Sequence, residues 1–518
     1  MYQFTKRHEN DIHGVLSGFD RIRFRGTIRW FGSVRGVMTF LWELQVRLTQ
    51  FTAWAKGLTN QIVEASERIA AAAGRPMIYL HSSSDSKEDL ALAIAKADRV
   101  TKGLVCVFKC VESCHTFKVG PNAQTKKLEL RQVPGKCSHY YFDMLHPQFG
   151  LIHLRLQTWL PFTIHVCLNG REWLAQELRR RRIGFQQRDN CFVWIKHIAA
   201  AQKLADQQLR TDWSGLLDDL RRLFHPVHET MFGEQLLEIY WSAEETEWAT
   251  DVMFRSPAAL ARIYPGLVRH AITAFSCEDV LRFLGRYPKI EHYWASDIVI
   301  TFKSRPEGIC VKHRLNRNSV KMYDKQETVL RVETTVNDPS DMKVLRPREG
   351  HPLEAKTWQK LRKGVADLHR RAEVSQKANE RYLDALAAVN HDQPLGEVVQ
   401  KLCQPTEWKG RRVRALQPLS ADDNRLLIAV NRGEFAINGF RNRDLRALLF
   451  GTAPAAAAEL KRQGARTTRQ IRMLRAHGLI RKISKTHRYT LTPKGRLTIN
   501  ALLAAQQASS QQLAQLAA

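Results

Sequence analysis

A strongly basic stretch near the C-terminus, residues 441–496, constrains the fold of this chain more than any other feature. It contains 15 lysine and arginine residues and two acidic residues, a local surplus of 13 positive charges. Leucines at helical spacing predict a helix at 441–450, and an alanine-rich segment predicts a second helix at 455–462. Gly464 interrupts the pattern before a third predicted helix at 467–477, which the following glycine ends as a C-cap. Alternating residues then predict a two-stranded β-ribbon.

The third of these helices separates its arginines from its apolar residues. At about 100° per residue the arginines spread over one half of the helix surface, while Ile471 and Leu474 occupy the other half. The basic face can therefore meet phosphates while the apolar face packs on the protein, although a solvated basic helix is the alternative. Threonine hydroxyls at the helix start suit a cap or base edges. The predicted nucleic-acid contacts on the helix and the ribbon are Arg466, Thr467, Thr468, Arg469, Arg472, Arg475, Lys482, Lys485, His487 and Arg488.

Three short segments close this stretch: Gly478-Leu479-Ile480, Tyr489-Thr490-Leu491-Thr492 and Gly495-Arg496. Together they resemble the closing part of the winged-helix domains of bacterial regulators of the MarR and ArsR kind. The resemblance implies a DNA-binding fold for the C-terminal part of the chain and implies nothing about the rest.

Three short segments in the first half of the chain carry a second resemblance: Phe19-Asp20-Arg21, Gln157-Thr158-Trp159 and Asn169-Gly170-Arg171. With the closing winged helix, they resemble a widespread group of bacterial proteins of unassigned activity. This resemblance spans most of the chain and implies no mechanism.

Composition limits the class of protein and its partners. Eighty lysine and arginine residues against 51 acidic residues give a formal net charge of +29, which favours a polyanionic partner. There is no run of about 20 apolar residues, so no membrane span is predicted, and the N-terminus lacks the apolar core of a signal peptide. Nine cysteines, an odd number, fit a reducing cytoplasm better than a disulfide scaffold. We therefore expect a cytoplasmic protein that binds nucleic acid, DNA rather than RNA, with no membrane partner and with a homodimer left open.

The chain of 518 residues is too long for one ordinary core, and its patterns predict an α+β protein of several domains with mixed N-terminal and central β-sheets. A long helix at 354–389, polar on nearly all sides, is expected to bridge domains. Another long helix is expected at 37–73. The predicted units are an N-terminal α/β domain (1–102), a strand-rich basic domain (103–235), a central α+β domain (236–350), the long helix with a basic linker (351–418) and the winged-helix domain (419–518).

Arginines also follow regular patterns outside the C-terminal stretch. In the predicted strand or hairpin at 18–30, Arg21, Arg23 and Arg25 alternate with apolar residues, which suits either a phosphate-facing sheet or a soluble edge. Four consecutive arginines end a helix that is predicted to begin near Gly170. They complement the helix dipole, and they also form a predicted phosphate-binding patch. The members of that patch are Arg179, Arg180, Arg181 and Arg182.

Three cysteines and a histidine in the strand-rich region form a candidate metal site. Cys110 and Cys114 are four residues apart, and Cys137 and His139 follow as a pair with one residue between them. Three thiolates and an imidazole at tetrahedral distances would bind a structural zinc ion. The spacing differs from the common zinc motifs, and free thiols are the alternative.

The segment 308–336 predicts a hairpin that could support chemistry. One strand ends in Tyr323-Asp324-Lys325, and the return strand contains Arg331 and Glu333. This Tyr-x-Lys strand followed by an Arg-x-Glu strand resembles the replication initiators of rolling-circle plasmids and filamentous phages. The resemblance implies Tyr323 as a nucleophile that attacks a phosphodiester and Glu333 as a ligand of Mg²⁺ or Mn²⁺.

Two features leave this implication open. The chain has no His-x-His pair, and His153 and His165 stand apart in the sequence. The number of residues in the hairpin turn also decides which face Tyr323 shares. An even number buries it beside the leucine and valine of the return strand, whereas an odd number places it with Arg331 and Glu333. An ordinary hairpin with a surface salt bridge is the alternative to catalysis.

Other enzyme motifs are absent: the chain has no phosphate loop, dinucleotide-binding glycine motif, metalloprotease motif or serine-hydrolase motif. Asp20, Glu112 and Asp143 lie near predicted strand ends, where the acids of a nuclease could hold metal ions. The sequence therefore predicts a nucleic-acid-binding protein of a mobile-element or replication-initiation type. The most specific version of this hypothesis adds metal-dependent DNA nicking by Tyr323. The alternative is a non-catalytic protein that holds a structured RNA.

Overall fold

A computed structural model provides the fold of the chain. It describes residues 1–225, 228–231, 237–273, 275, 279–280, 283–285, 298–305, 308–340, 342–348, 350–351, 353–387, 395–435, 439–451, 456–483 and 486–508. Lys485, one of the predicted ribbon contacts, lies outside these residues.

The helices and strands of the described residues alternate along the chain. The strands are Ile12–Ile28 (β1), Met77–Leu80 (β2), Gly103–Pro121 (β3), Leu128–His146 (β4), Gly150–Gln157 (β5), Ile164–Asn169 (β6), Phe185–Gln187 (β7), Phe192–Ile195 (β8), Ile239–Phe254 (β9), Ile298–Arg305 (β10), Gly308–Leu315 (β11), Asn318–Lys325 (β12), Val329–Val336 (β13), Lys343–Arg346 (β14), Thr357–Lys360 (β15), Thr406–Trp408 (β16), Arg411–Val413 (β17), Ile480–Lys482 (β18) and Tyr489–Leu491 (β19). The helices are Tyr2–Arg7 (α1), Val34–Glu43 (α2), Phe51–Ala72 (α3), Lys87–Ala97 (α4), Gly170–Arg180 (α5), Ile198–Gln208 (α6), Trp213–Phe224 (α7), His228–Met231 (α8), Pro257–Thr273 (α9), Leu368–Ala387 (α10), Leu395–Leu402 (α11), Ala421–Val430 (α12), Asn442–Phe450 (α13), Ala457–Ala476 (α14) and Pro493–Gln507 (α15).

Eleven of these strands form one sheet in the order β10-β11-β12-β13-β9-β1-β6-β5-β4-β3-β2. The strands β2 and β3 are parallel, and the other neighbouring pairs are antiparallel. Strands from the three predicted units 1–102, 103–235 and 236–350 are joined in this sheet. The long strands β1 and β9 lie in its middle, so residues that are distant in sequence become neighbours there. The prediction of an α+β protein is confirmed.

The two faces of the sheet differ in polarity because side chains alternate along each strand. In β1, Phe19, Ile22 and Phe24 are buried in a core to which helices α2, α3 and α7 contribute. Helices α9 and α10 pack with β9, β11, β12 and β13 in a second core. Arg21 and Arg23 project from the polar face, as the alternation in the sequence predicts, and line a groove.

Two helix predictions are wrong in their extent. The predicted helix at 37–73 consists of the two helices α2 and α3, because Gln45 has a left-handed backbone conformation (φ 56°) that ends the first of them. The predicted helix at 354–389 begins only at Leu368, because residues 357–360 pair with β14 as a strand instead.

Helix α10, which was expected to bridge domains because it is polar on nearly all sides, packs on the sheet instead. Several of its polar side chains lie on the buried face and bond to backbone carbonyls of β9. Arg371 is 1% exposed and donates to the carbonyl of Ala243 at 2.8 Å. Asn379 is also buried and donates to the carbonyl of Trp248 at 3.0 Å. Because these groups are hydrogen-bonded, a helix rich in polar residues can be a core helix.

The C-terminal part contains helices α12, α13, α14 and α15 and the two-stranded ribbon β18–β19, which share one core. The helices predicted at 455–462 and 467–477 are one continuous helix, α14. Gly464 does not interrupt it, because a glycine inside a helix costs only about 1 kcal/mol relative to alanine. Gly478 follows with φ 73° and ends the helix, as predicted.

Candidate functional site

A groove of about 1650 Å³ lies on the polar face of the sheet. Most strands of the sheet contribute to its lining, from β3 and β4 on one side through β1 and β9 to β12 and β13 on the other. The lining contains nine lysine and arginine residues and nine acidic residues. Two of the arginines predicted to face phosphates are paired there, Arg21 with Glu247 at 3.2 Å and Arg23 with Glu245 at 4.0 Å. The groove is therefore a surface of mixed charge, and a polyanion would need particular residues or a bound cation to bind in it.

Three buried carboxylates from three neighbouring strands meet in this groove. Asp20 on β1, Glu247 on β9 and Glu333 on β13 have carboxylate oxygens that lie within 4.8 Å of one another. The register between β1 and β9 shifts between Phe19 and Arg21, which makes Asp20 the extra residue of a β-bulge. A bulge re-aims a side chain relative to the regular alternation, and here it adds Asp20 to the groove. We call these three residues the carboxylate cluster.

Cationic side chains from several strands contact the carboxylate cluster. The Nζ of Lys321 lies 2.6 Å from Glu333 Oε1 and 3.5 Å from Glu247 Oε1. Arg331 donates a hydrogen bond to Asp20 Oδ1 at 2.9 Å. Each carboxylate of the cluster therefore has at least one cationic neighbour, since Arg21 also pairs with Glu247.

Both predicted catalytic residues lie together, and the strand register decides this. The turn between β12 and β13 has an odd number of residues, 326–328, so Tyr323 pairs with Arg331 and shares the face of Glu333. The Tyr323 hydroxyl donates to Glu333 Oε2 at 2.8 Å. Burial and the Glu333 charge hold the pKa of Tyr323 well above its ordinary value, so the hydroxyl keeps its proton. The alternative in which Tyr323 shares the apolar face is wrong.

Burial makes ionisation of the carboxylate cluster costly. Burial raises the pKa of Asp20 and of Glu247, and the charge of Glu333 adds to both shifts. Burial acts on Glu333 as well, but Lys321, Arg331 and the Tyr323 hydroxyl together outweigh it and lower the pKa of Glu333. At Asp20 and Glu247 the neighbouring cations thus do not fully offset burial and the repulsion from Glu333. A donor set made only of carboxylate oxygens fits Mg²⁺ or Mn²⁺, and a divalent cation would relieve that repulsion.

A buried ion-pair network supports the carboxylate cluster from within the protein. Arg331 donates to both carboxylate oxygens of Asp251, at 2.6 Å and 2.9 Å, and Arg171 lies 3.0 Å from Asp251. Asp251 and Arg331 are each 0% exposed. Because Arg331 also binds Asp20, this network fixes the position of the Asp20 carboxylate.

Glu247, Asp251 and Lys321 were not predicted from the sequence. Lys321 does leave a signal, since Ser319, Lys321 and Tyr323 alternate along one strand and so share a face. The two acids of β9 leave none, because the strands that pair with β9 are distant from it in sequence. Asp20 was predicted only as an acid near a strand end.

Of the three acids predicted near strand ends, only Asp20 joins the carboxylate cluster. Asp143 is fully buried and contacts the Nδ1 of His153. Glu112 accepts a hydrogen bond from the Tyr141 hydroxyl at 2.6 Å. Both acids are held by residues of β4 and β5, so the prediction that they hold a metal with Asp20 is wrong.

Two histidines that stand apart in the sequence share the groove. The register of β5 and β6 makes His153 and His165 diagonal neighbours on one face. His165 Nε2 lies 3.3 Å from Glu244, the extra residue of a second bulge in the β1–β9 ladder. Each histidine therefore has a carboxylate partner, and neither stands alone in the fold.

Three of the four residues predicted to bind zinc come together. Cys114, Cys137 and His139 have ligand atoms within 4.8 Å of one another, and the two sulfur atoms are 3.3 Å apart. Cys110 does not join them, because its side chain is buried in a separate apolar core with Leu80. The predicted site is therefore corrected to three protein ligands.

The basic face of α14 keeps several exposed arginines. Arg469 and Arg472 are exposed, while Ile471 and Leu474 are buried in the C-terminal core, as the helix geometry predicts. This division is the arrangement that a phosphate-facing helix requires. The other predicted contacts with exposed side chains are Arg466, Thr468, Lys482 and His487.

Five of the predicted contacts have partners within the protein, among them Thr468, whose hydroxyl donates to the carbonyl of Gly464 at 2.9 Å. Thr467 is buried and donates to a carbonyl of its own helix at 2.9 Å. Arg488 is buried and donates to a neighbouring backbone carbonyl at 2.8 Å. These two predictions are wrong, because both side chains point into the protein. Arg466 pairs with an aspartate of α12 at 2.7 Å, and the Arg475 guanidinium lies 4.7 Å from the ring centre of Trp408.

The predicted arginine patch at the end of α5 is exposed but largely paired. Arg179 lies 3.2 Å from Glu172, and Arg180 lies 2.6 Å from Glu177, which Arg181 also contacts. Two acids therefore reduce the charge that this patch offers to a phosphate. Its role in binding stays a prediction.

No protein-family model, curated protein or solved structure matches the chain. Among the described helices, none is both long and apolar enough to cross a membrane. The function is therefore inferred from the groove and its residues.

Proposed function

We propose that this protein binds nucleic acid, DNA in preference to RNA, and nicks one strand at the carboxylate cluster in a mobile-element or replication-initiation role. The observation behind the proposal is the convergence of Asp20, Glu247 and Glu333 with Lys321 and Tyr323 in one open groove. Acids able to hold a divalent cation, beside a nucleophile and a basic group, are the parts that phosphodiester cleavage uses.

Asp20, Glu247 and Glu333 would hold Mg²⁺ or Mn²⁺, which when bound neutralises charge on the phosphate that is attacked. Lys321 would contribute a positive charge of its own. Burial lowers the pKa of Lys321, but the Glu333 and Glu247 carboxylates outweigh burial and raise it above its ordinary value. The lysine is therefore an ammonium group that can orient a phosphate oxygen and donate a proton.

Tyr323 is the proposed nucleophile. Its oxygen forms a bond to phosphorus, and the bond between phosphorus and one sugar oxygen breaks. The phenolic proton moves to Glu333 along the existing 2.8 Å hydrogen bond, and Lys321 gives a proton to the departing sugar oxygen. Because the pKa of Tyr323 is raised in the metal-free groove, cleavage is expected to depend on the divalent cation.

The described C-terminal residues between 419 and 508 are proposed to form a winged helix that binds duplex DNA. Helices α12, α13 and α14 precede the ribbon β18–β19, in the order of a winged helix-turn-helix. The outward position of Arg469 and Arg472 on α14 supports α14 as the helix that meets DNA. Lys482 and His487 lie on or beside the ribbon, which would contact the neighbouring phosphate backbone.

A cleavage assay tests the proposed function directly. Incubation of the full chain with single-stranded DNA, supercoiled DNA or RNA and Mn²⁺ is expected to give a nicked DNA product and a covalent protein–DNA adduct. The Tyr323→Phe variant is expected to lose the adduct, because the attacking oxygen is gone. Tyr141→Phe is the matched control, since Tyr141 makes the same kind of hydrogen bond to a glutamate elsewhere in the groove.

Two outcomes would change this proposal. Cleavage without an adduct would make water the nucleophile and leave Tyr323 as a positioning residue. No cleavage of any substrate, with a structured RNA found by sequencing the nucleic acid that co-purifies, would favour the non-catalytic RNA-binding alternative.

Replacing Arg469 and Arg472 together with alanine is expected to weaken DNA binding and to flatten its salt dependence. The slope of log affinity against log salt concentration should become shallower by about 1.8, because each lost phosphate contact removes roughly 0.9. Fluorescence anisotropy at several salt concentrations measures this. Arg68→Ala with Arg222→Ala is the matched control, because it removes two exposed arginines from α3 and α7. An equal loss in the control would show a general charge effect and argue against α14 as the contact.

A further inference from the structure

The cysteine and histidine cluster lies at a structurally distinct place, the base of a long two-stranded arm. Strand β4 pairs with β5 only from His139 to His146, and β2 pairs with β3 only from Val107 to Cys110. Beyond these points, residues 111–121 and 128–138 of β3 and β4 pair only with each other in the sheet. The arm is held by the main core, in which Phe117 and Leu130 are buried, and by a hydrogen bond from the Trp159 indole to the carbonyl of Phe117 at 3.1 Å.

The strand register brings three ligand-forming side chains to this point. Cys114 is opposite Gly135, and Cys137 is opposite Glu112, so the two cysteines are diagonal neighbours on β3 and β4. His139 lies two residues beyond Cys137 and therefore shares its face. Their sulfur atoms and a ring nitrogen of His139 lie within 4.8 Å of one another.

His139 is buried, and a backbone carbonyl holds one of its two ring nitrogens. It is 1% exposed, and its Nδ1 lies 3.1 Å from the carbonyl oxygen of Cys137, which accepts a hydrogen bond from the ring. Its Nε2 has no hydrogen-bond partner among the described residues. A buried, unpartnered ring nitrogen is costly and calls for a ligand. A backbone carbonyl that fixes one nitrogen while the other binds metal is the usual support of a metal-bound histidine.

We propose that Cys114, Cys137 and His139 bind one zinc ion, with a fourth position open to the groove. Two thiolates and one imidazole select zinc over the oxygen-preferring Mg²⁺ and Mn²⁺. Cys114 and its neighbour Ser113 line the groove, so water or a phosphate oxygen of a bound strand can reach the fourth position. The zinc ion joins β3 to β4 at the base of the arm. This site is separate in residues and in metal chemistry from the carboxylate cluster.

Zinc binding requires both cysteines as thiolates. Burial, and then the hydrogen bond with Cys114, raise the pKa of Cys137, so the thiol form is favoured without a metal. Zinc would displace the thiol protons on binding.

Metal content of the full chain tests the proposal without any nucleic acid. Protein purified without chelator and then supplied with ZnCl₂ and dialysed is expected to hold one zinc per chain by elemental mass spectrometry. Cys137→Ser and His139→Ala are each expected to lose it. Cys110→Ser is the matched control and is expected to keep it, because Cys110 lies in a separate core. Glu333→Gln is expected to keep it as well, which separates this site from the proposed nicking site.

A labelling experiment on the unmodified protein covers the case in which a variant fails to fold. Zinc is expected to protect Cys114 and Cys137 from alkylation, and a chelator is expected to expose these two thiols while Cys110 stays buried. Peptide mass spectrometry reads the labelled residues. No bound zinc, a disulfide between Cys114 and Cys137 in place of the metal, or equal labelling with and without chelator would each overturn the proposal.

Discussion

Glu333→Gln is expected to reduce metal-dependent strand cleavage by roughly 100-fold or more while leaving the chain folded. The neutral amide removes one of the three carboxylates of the cluster and the base that takes the Tyr323 proton along the 2.8 Å hydrogen bond. Folding is expected to survive, because the Glu333 charge raises the pKa of Asp20 and Glu247, and its removal relieves that repulsion. Single-turnover cleavage rates over a range of Mn²⁺ concentrations measure the effect.

Glu112→Gln is the matched control for this variant. Glu112 also lines the groove and accepts a hydrogen bond from a tyrosine, at 2.6 Å, but it lies outside the carboxylate cluster. Cleavage close to that of the unmodified chain is expected for the control. An equal rate in Glu333→Gln would show that the cluster is an ion-pair network without a catalytic role.

Asp251→Ala is expected to lower the free energy of unfolding by about 3–5 kcal/mol. The change leaves the guanidinium groups of Arg331 and Arg171 buried without the carboxylate that they share, and these arginines are 0% and 1% exposed. Urea unfolding followed by tryptophan fluorescence measures the loss as a shift of the midpoint at a fixed slope. Asp219→Ala removes an exposed partner of Arg222 and is expected to cost about 0–1 kcal/mol. Equal midpoints for the two variants would contradict this account.

The stabilisation of the fold by Asp251 is expected to depend on pH. Burial acts to raise the pKa of Asp251, but Arg171 and Arg331 outweigh it and lower the pKa below the ordinary value of 3.8. A carboxyl group whose pKa is lower in the folded chain stabilises that chain above its unfolded pKa and loses this effect as the pH falls through the folded value. The difference between Asp251→Ala and the unmodified chain should therefore be full at neutral pH and shrink in acid.

Local patterns predicted the parts of the molecule that depend on neighbours along the chain. The alternation of apolar residues with Arg21 and Arg23 placed those arginines on the polar face of β1. Gly478 was predicted to end α14, because a left-handed residue after a helix favours glycine. The division of α14 between Arg469 and Ile471 follows from helix geometry alone. Each of these features depends on a period or a backbone angle that a few consecutive residues set.

Predictions were wrong where the contacts of a residue are made with parts of the chain that are distant in sequence. The polar surface of α10 suggested a solvated helix, yet Arg371 and Asn379 bond to carbonyls of β9. Arg488 was predicted to contact DNA and instead satisfies a backbone carbonyl inside the C-terminal core. Cys110 has the spacing of a zinc ligand but is buried in another core. A polar or ionisable side chain carries no local signal of which of these partners it will find.

By itself the sequence determined the charge of the chain, the alternation that gives the sheet a polar face, and the two candidate catalytic residues on one hairpin. Only the tertiary structure decided that Asp20 and Glu247 join Glu333, because this depends on β9 pairing with both β1 and β13 and on a bulge at one residue. The tertiary structure likewise decided that the turn after β12 has an odd number of residues, which places Tyr323 on the same face as Glu333. Strand register is set by side chains of both partners packing together, and for strands distant in sequence no short segment contains that information.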